Sequence, residues 1–267
     1  MCIRDRFGNI FSRLTNPTVG TLENRLTELE DGAMCVALSS GTSSVMYSLI
    51  NIMSQGDNFI TDTQLYGGTF TMFTNILPEF GITCKKVDTT DLDLVEKSID
   101  KNTKAIYVET ITNPGLVVAD IEGLSKVAHS KGIPLIVDAT FTTPALQKSL
   151  DFGADIVVHS LTKWMSGHGR VIAGAVIEKG GFEWGNGNFP LYDTPDTSYG
   201  GMRWGHDLGD LSGVAYSLRL RTVPLRNLGA NMSPETAFEV MSGLETLGLR
   251  MERHCENAKK AAEYLSD

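Results

Sequence analysis

The sequence predicts an α/β fold with a mostly parallel central sheet and helices on both faces. Between residues 33 and 177, short apolar runs rich in strand formers alternate with amphipathic segments, the rhythm of parallel strands joined by crossover helices. Glycine or proline closes several connections, at Gly56, Gly81, Gly132, Pro134 and Gly153. No segment repeats at a fixed period, which excludes a solenoid. With 267 residues, 42% of them hydrophobic and 21% charged, the chain can fill one large core and part of a second domain.

Residues 1–6 (MCIRDR) carry no capping or periodic signal and read as a non-native scar, and 7–32 read as an incomplete N-terminal arm. Strands are predicted at 34–38, 58–61, 83–87, 105–109, 135–138, 156–159 and 173–177, with helices at 43–53, 69–77, 91–99 and 121–131. Residues 180–205, rich in glycine, asparagine, proline and aromatics, interrupt the pattern as a long loop whose aromatics call for packing. A helix follows at about 208–221. A long one, 233–265, starts with Ser233 as N-cap and Pro234 at the first helical position. No helix stop precedes Asp267, so the chain reads as ending inside a larger protein. The organisation expected is a large domain over 33–230 and the start of a truncated C-terminal domain over 231–267.

A formal net charge of −9 leaves no excess of Lys and Arg to neutralise phosphates, which argues against a nucleic-acid or anionic-membrane partner. No apolar run reaches the roughly 20 residues of a membrane span and no secretory leader is evident, so a cytoplasmic location is expected. Cys2, Cys35, Cys84 and Cys255 lie far apart without metal-ligand spacing and read as reduced thiols; no metal is expected.

In open α/β sheets ligands bind beyond the carboxyl ends of the strands, and here those positions are chemically unusual. Leu38 is followed by Ser39, Ser40, Gly41, Thr42 and Ser43 and then a helix, a turn through which backbone amides can approach an anion, although it also suits a plain cap. Asp138 ends the apolar run 135–138, where a carboxylate needs a cationic or hydrogen-bonding partner; a pyridinium nitrogen is one, a helix cap or water another. Lys163 lies twenty-five residues further on, just past the next apolar strand, between hydroxyls (Ser160, Thr162) suited to a phosphate and an indole, Trp164. A partly desolvated lysine there can attack an aldehyde.

The segment 155–169 (DIVVHSLTKWMSGHG) resembles the lysine signature of the cystathionine gamma-synthase-like family, the Cys/Met metabolism enzymes that use pyridoxal 5'-phosphate (PLP). The family's other motifs follow in order: Ser12 and Arg13 with Asn16, Pro17 and Thr18; Ser40, Gly41, Thr42; Tyr66, Gly67, Gly68, Thr69; Glu109 and Thr110 with Asn113 and Pro114; and Asp138, Ala139, Thr140. The likeness covers about 7–267 and implies fold type I, the aspartate aminotransferase-like PLP-dependent transferase fold, with 33–230 as the PLP-binding domain. It implies that Lys163 holds the cofactor aldehyde as a Schiff base and moves protons, that Asp138 partners the pyridine nitrogen, and that Tyr66 stacks on the ring and aids proton transfer or leaving-group departure. Ser40, Gly41, Thr42, Thr140, Ser160 and Thr162 would hold the phosphate side and Asn113 would lie near the ring hydroxyl. Arg13 resembles an arginine that reaches the phosphate of a neighbouring subunit, which implies a dimer and, from two dimers, a tetramer. Phe11 stands where the family has a hydrogen-bonding tyrosine, a difference worth about 1 kcal/mol of cofactor grip. Leu161 and Arg170 are also departures, and the family's substrate-carboxylate arginine belongs to the C-terminal region beyond this chain, so full activity is not expected of these residues alone.

Within the family, Gly68 stands where methionine gamma-lyases have cysteine. The 180–205 loop with Leu228, Gly229, Ala230, Ser233, Pro234 and the 243–254 segment resembles the O-acetylhomoserine sulfhydrylase branch. That implies replacement of acetate at the gamma carbon of O-acetyl-L-homoserine by sulfide or a thiol, giving homocysteine or methionine. The alternatives are a methionine gamma-lyase or a cystathionine-forming or -cleaving enzyme and, outside catalysis, a silent scaffold of the same fold. His129, His206 and His254 read as surface or structural residues without partners, His159 as core packing or function alike, and Glu252, Arg253 and Lys259 as a solvated helix face.

Overall fold

The computed structural model describes Asn9 and residues 11–266; the proposed scar at 1–6 lies outside the described residues. Seven strands, β1 (Met34–Leu38), β2 (Asn58–Asp62), β3 (Thr83–Val87), β4 (Thr103–Glu109), β5 (Leu135–Asp138), β6 (Ile156–His159) and β7 (Gly174–Glu178), form one sheet in the order β1-β7-β6-β5-β4-β2-β3. The pairs β2·β3, β2·β4, β4·β5 and β5·β6 are parallel, and β7 runs antiparallel to both β6 and β1. Six strands therefore share one direction, and only β7 is reversed. Strands β2, β4, β6 and β7 are buried along their whole length, as expected of a sheet covered on both faces, while the edge strand β3 exposes Thr83 and Lys86.

The α-helices are α1 (Pro17–Glu30), α2 (Gly41–Ile50), α3 (Gly67–Thr71), α4 (Leu92–Ser98), α5 (Ile121–Ser130), α6 (Thr143–Leu146), α7 (Pro190–Asp193), α8 (Ala215–Leu220), α9 (Arg226–Leu228), α10 (Pro234–Leu244) and α11 (Leu247–Ser266). Their starts follow local chemistry. Asn16 Oδ1 accepts from the amides of Thr18 and Val19 at the start of α1, Ser40 and Ser43 form a reciprocal capping box on α2, and Asp91 and Asp120 cap α4 and α5. On α5, Ile121, Leu124 and Ala128 are buried at the three- and four-residue spacing of one helical face.

Several expectations shift. Residues 17–30, read only as arm, form a 14-residue helix whose Asn16-Pro17 start carries the same cap chemistry as Ser233-Pro234. The helix expected over 69–77 is a short α-turn that widens into a π turn at Met72–Ile76 and tightens into a 3₁₀ turn at Leu77–Phe80, where Pro78 supplies no amide hydrogen. The helix expected over 208–221 begins as a 3₁₀ segment, Gly209–Val214. The long helix over 233–265 is two, α10 and α11, broken at Glu245 and Thr246 where the chain turns beside the strand ends. The 180–205 loop is packed: Trp184, Phe189, Tyr192 and Trp204 are buried, and Trp184 stacks between Tyr192 and Tyr216 with ring centroids 5.0 and 5.1 Å away. No described helix is long and apolar enough to cross a membrane.

Two acidic residues of α1 fasten it to the sheet, Glu30 through His159 of β6 and Glu23 through β1. Glu23 Oε1 accepts the Ala37 amide of β1 at 2.8 Å, and Oε2 pairs with Arg221 Nη2 at 2.8 Å. Arg221 also donates to the carbonyls of Leu14 and Cys35. Burial pushes the Glu23 carboxyl up, with Arg221 pulling the other way, so the ion pair offsets a desolvation cost it cannot escape. Arg221→Met should therefore destabilise the fold by roughly 3 kcal/mol, because it strands a buried acid. Pairing it with Glu23→Gln should recover part of that loss in denaturant unfolding, and strictly additive losses would refute the coupling.

Candidate active site

The parallel direction of the six strands brings their carboxyl ends to one edge, where a cleft of about 730 Å³ opens. Ser40, Gly41, Thr42, Tyr66, Asn113, Asp138, Thr140, Ser160, Thr162 and Lys163 all line it. The site thus draws on the ends of β1, β2, β4, β5 and β6, segments far apart in sequence.

One wall is the start of α2. The Ser43 amide is taken by Ser40 Oγ and the Ser44 amide by the Ser40 carbonyl, which leaves the amides of Gly41 and Thr42 at the positive end of the helix for an acceptor from outside it. Gly41 is required by close approach: a Cβ there would stand 2.5 Å from Ser160 Cβ. The α2 start and the turn after β6 therefore meet backbone to side chain, forming a small-residue cradle for an anion. Thr140 Oγ1 accepts the Ser160 amide at 2.8 Å, tying the turn after β5 to the turn after β6. The Thr162 hydroxyl donates to the Ala173 carbonyl and accepts the Ala173 amide, so it also braces the lysine turn against the entry to β7.

The floor is acidic. Asp138 Oδ1 accepts the Thr140 amide at 2.9 Å and Oδ2 accepts the Tyr107 hydroxyl at 3.1 Å. In the β4·β5 ladder Glu109 lies opposite Asp138, so two carboxyls share the same strand ends. Glu109 Oε1 accepts the Tyr66 amide at 2.8 Å and so positions the loop that carries the Tyr66 ring. Burial, reinforced by the nearby Asp138 charge, pushes the Glu109 carboxyl up to about 8. Lys163 projects from the turn after β6, and among the described residues no carboxylate pairs with its amine. Tyr66 is 49% exposed at the mouth.

Arg13 does not line this cleft; its guanidinium lies 5.1 Å from the Phe11 ring centroid. Three histidine expectations are corrected. His129 pairs with Asp155 at 2.8 Å and His206 with Asp193 at 2.9 Å, contacts made by residues too distant in sequence to be foreseen. His254 is not a bland surface residue: it lines the cleft with its ring centroid 4.8 Å from that of Trp164. His159 is fully buried against Glu30 at 2.5 Å. Arg253 and Lys259 form exposed pairs along α11, a solvated face as expected. Cys35, Cys84 and Cys255 are free thiols. The 180–205 loop contributes nothing to the cleft wall.

Sequence reasoning passed over Tyr107, Glu109, Trp164, Arg250 and His254 as site residues. Tyr107 and Glu109 were findable, since alternation along β4 puts both on the face that ends at Asp138. Arg250 and His254 share a helix face at four-residue spacing, but only the docking of α11 brings that face to the cleft.

The sequence profile of the Cys/Met metabolism PLP-dependent enzymes matches residues 2–267. The chain is 43% identical over 264 residues to an O-acetyl-L-homoserine sulfhydrylase of Leptospira meyeri and 44% identical over 261 residues to a homocysteine synthase of Schizosaccharomyces pombe. Each match takes in 97% of this chain and 60% of the relative, so the chain spans about three-fifths of the length of these proteins. The fold superposes with a TM-score of 0.93 and 40% identity on a putative O-acetylhomoserine (thiol)-lyase of Campylobacter jejuni that carries a pyridoxyl-lysine phosphate, covering 99% of this chain and 65% of that one. The donor set fits such a group: a lysine with no carboxylate partner among the described residues, an acid lining the same cleft, and helix-start amides beside hydroxyls for the phosphate. Agreement of profile, relatives, fold and donor set leads to one conclusion: the chain belongs to the Cys/Met metabolism PLP-dependent enzyme family.

Proposed function

We propose that the intact protein uses PLP on Lys163 to replace the acetate of O-acetyl-L-homoserine by sulfide or a small thiol, giving homocysteine or methionine. The observation that carries this reading is the convergence of Lys163, Asp138 and Tyr66 on one cleft beside the Gly41 cradle. The names of the Leptospira and Schizosaccharomyces relatives support the choice of substrate. The homo-oligomer in which Arg13 reaches a neighbouring phosphate, the division of the chain at 230/231, the C-terminal carboxylate-binding arginine and the cytoplasmic location belong to the same proposal.

When bound, PLP supplies an electron sink that acidifies the hydrogens at the alpha and beta carbons of an amino acid. The amides of Gly41 and Thr42, with the hydroxyls of Ser40, Ser160, Thr162 and Thr140 around them, would hold the phosphate. Asp138, fixed by Tyr107 and Thr140, would keep a proton on the ring nitrogen, and Asn113 would meet the ring hydroxyl. Lys163 Nζ, when not attached to the cofactor, would take the proton from the alpha carbon, pass it on to the bound group and, neutral again, take a proton from the beta carbon. The Tyr66 ring lines the cleft, and its hydroxyl would assist departure of acetate from the gamma carbon.

Glu109 has a quieter task. With its carboxyl pushed up to about 8, it stays protonated near neutrality and adds no second full charge beside Asp138. It still accepts the Tyr66 amide.

Lys163→Ala should abolish both the visible absorbance that PLP acquires on attachment and the pyridoxyl-lysine recovered after borohydride reduction; absorbance equal to the parent protein's overturns the assignment. Product analysis of the intact protein given O-acetylhomoserine and sulfide should show homocysteine. Release of methanethiol from methionine alone would favour a lyase, and no turnover of any kind would favour the silent scaffold. For Glu109 the sign follows from a folded value raised from 4.5 to about 8: its stabilising effect is fully present below 4.5 and is lost as pH rises through about 8. Glu109→Gln should flatten the decline of unfolding free energy across that window, and an unchanged slope would show that the carboxyl ionises without penalty.

A further inference from the structure

Lys163 sits in a turn whose two ends are held from within. Its amide donates to the Ser160 carbonyl at 3.2 Å, the Ser166 amide donates to the Leu161 carbonyl at 3.0 Å, and the Gly167 amide returns to the Lys163 carbonyl at 3.0 Å. The next two carbonyls, of Trp164 and Met165, are met by a side chain 86 and 85 residues away. Arg250 Nη1 donates to the Trp164 carbonyl at 2.6 Å and Nη2 to the Met165 carbonyl at 3.4 Å.

The same guanidinium reaches two more groups. Nη2 donates to the Gly243 carbonyl at the end of α10 at 2.7 Å, and Nε donates to Thr246 Oγ1 at 3.0 Å. The fit is close: a Cβ on Gly243 would stand 2.1 Å from the Ser166 carbonyl oxygen, and one on Gly167 would stand 2.5 Å from Arg250 Cζ. One turn further along α11, the His254 ring leans on Trp164. The break between α10 and α11 is therefore built against the lysine turn.

A guanidinium in a cleft meant for an amino acid invites assignment as the receptor of the substrate carboxylate. Here all three nitrogens already donate to protein oxygens, and turning them toward a ligand would release three carbonyls. We infer that Arg250 is a positioning residue, which fixes the Lys163 turn against the α10–α11 junction and so sets where the lysine amine stands in the cleft. A lysine could not replace it, since a single ammonium on a flexible stem cannot fork between these acceptors.

This inference rests on the reading of Lys163 as the cofactor lysine, and the experiment separates the two. Apo forms of the intact parent protein and of Lys163→Ala, Arg250→Met, Arg250→Lys and Met251→Ala are mixed with PLP across a range of pH. The rate of attachment and its pH midpoint are read from visible absorbance, the attached residue from borohydride trapping and peptide mass, and folding from thermal midpoints. Met251 is the stability control: it is buried on the same helix but lies outside the cleft wall. Both Arg250 variants should attach PLP on the order of tenfold more slowly and with a displaced pH midpoint, while Met251→Ala, although less stable, should match the parent on both counts. An Arg250 variant that folds and matches the parent, or a Met251→Ala variant that shows the same losses, overturns the inference. If Arg250→Met does not fold, Arg250→Lys, which keeps the charge and most of the volume, decides alone. If the parent and Lys163→Ala take up PLP alike, it is the reading of Lys163 that fails.

Discussion

Everything in the cleft depends on direction. Because β1 to β6 all point the same way, every chain exit from them falls on a single edge of the sheet, and residues from 40 to 163 in the sequence become neighbours there. The reversed β7 closes the sheet between β6 and β1 and keeps the α2 start beside the lysine turn. At the start of β7 Gly174 packs on the Ser40 carbonyl, where a Cβ would stand 2.2 Å away, while Gly41 faces Ser160. A parallel sheet with buried faces leaves little freedom for polar groups elsewhere, so the strand ends are where this chain can place acids and an amine and still satisfy them.

The chain has a net negative charge and nonetheless buries acids: Glu23, Glu30, Glu109 and Glu178 are all less than a tenth exposed. Each desolvated carboxyl needs a separate remedy. Glu23 has Arg221, and Glu30 has His159. Glu178, pushed up to about 7 mainly by burial, accepts the Ser217 amide and the Trp184 indole hydrogen. Glu109, pushed up to about 8 mainly by burial, accepts the Tyr66 amide. Among the described acids, Asp138 alone has acceptor oxygens that combine a backbone amide, a phenol and an open cleft, which distinguishes it from those that serve the fold.

Legibility in the sequence followed range. The strands 34–38, 135–138 and 156–159 were readable to the residue because each apolar run ends abruptly in a small or polar residue at the sheet edge. Lys163, Asp138 and the Gly41 turn were readable for the same reason, and the order of motifs joined them. Helix α1 is announced by Asn16 and Pro17, but the same residues belong to the arm motif of the family and the short apolar spacing behind them is weak. The pairs His129–Asp155 and His206–Asp193, and the role of Arg250, depend on how helices dock after the sheet is formed, and no local pattern encodes that. The 180–205 loop was legible in its composition: its aromatics called for packing, and they join the hydrophobic core away from the cleft wall.

The contact between Glu30 and His159 reaches further than its size suggests. Glu30 is the last residue of α1, and His159 is the strand residue immediately before Ser160. Peeling the N-terminal helix away would carry Glu30 into water and leave the His159 imidazole without its partner, directly behind the cradle. Opening there would share a free-energy cost with loss of the lysine turn, and the two would melt as one cooperative unit.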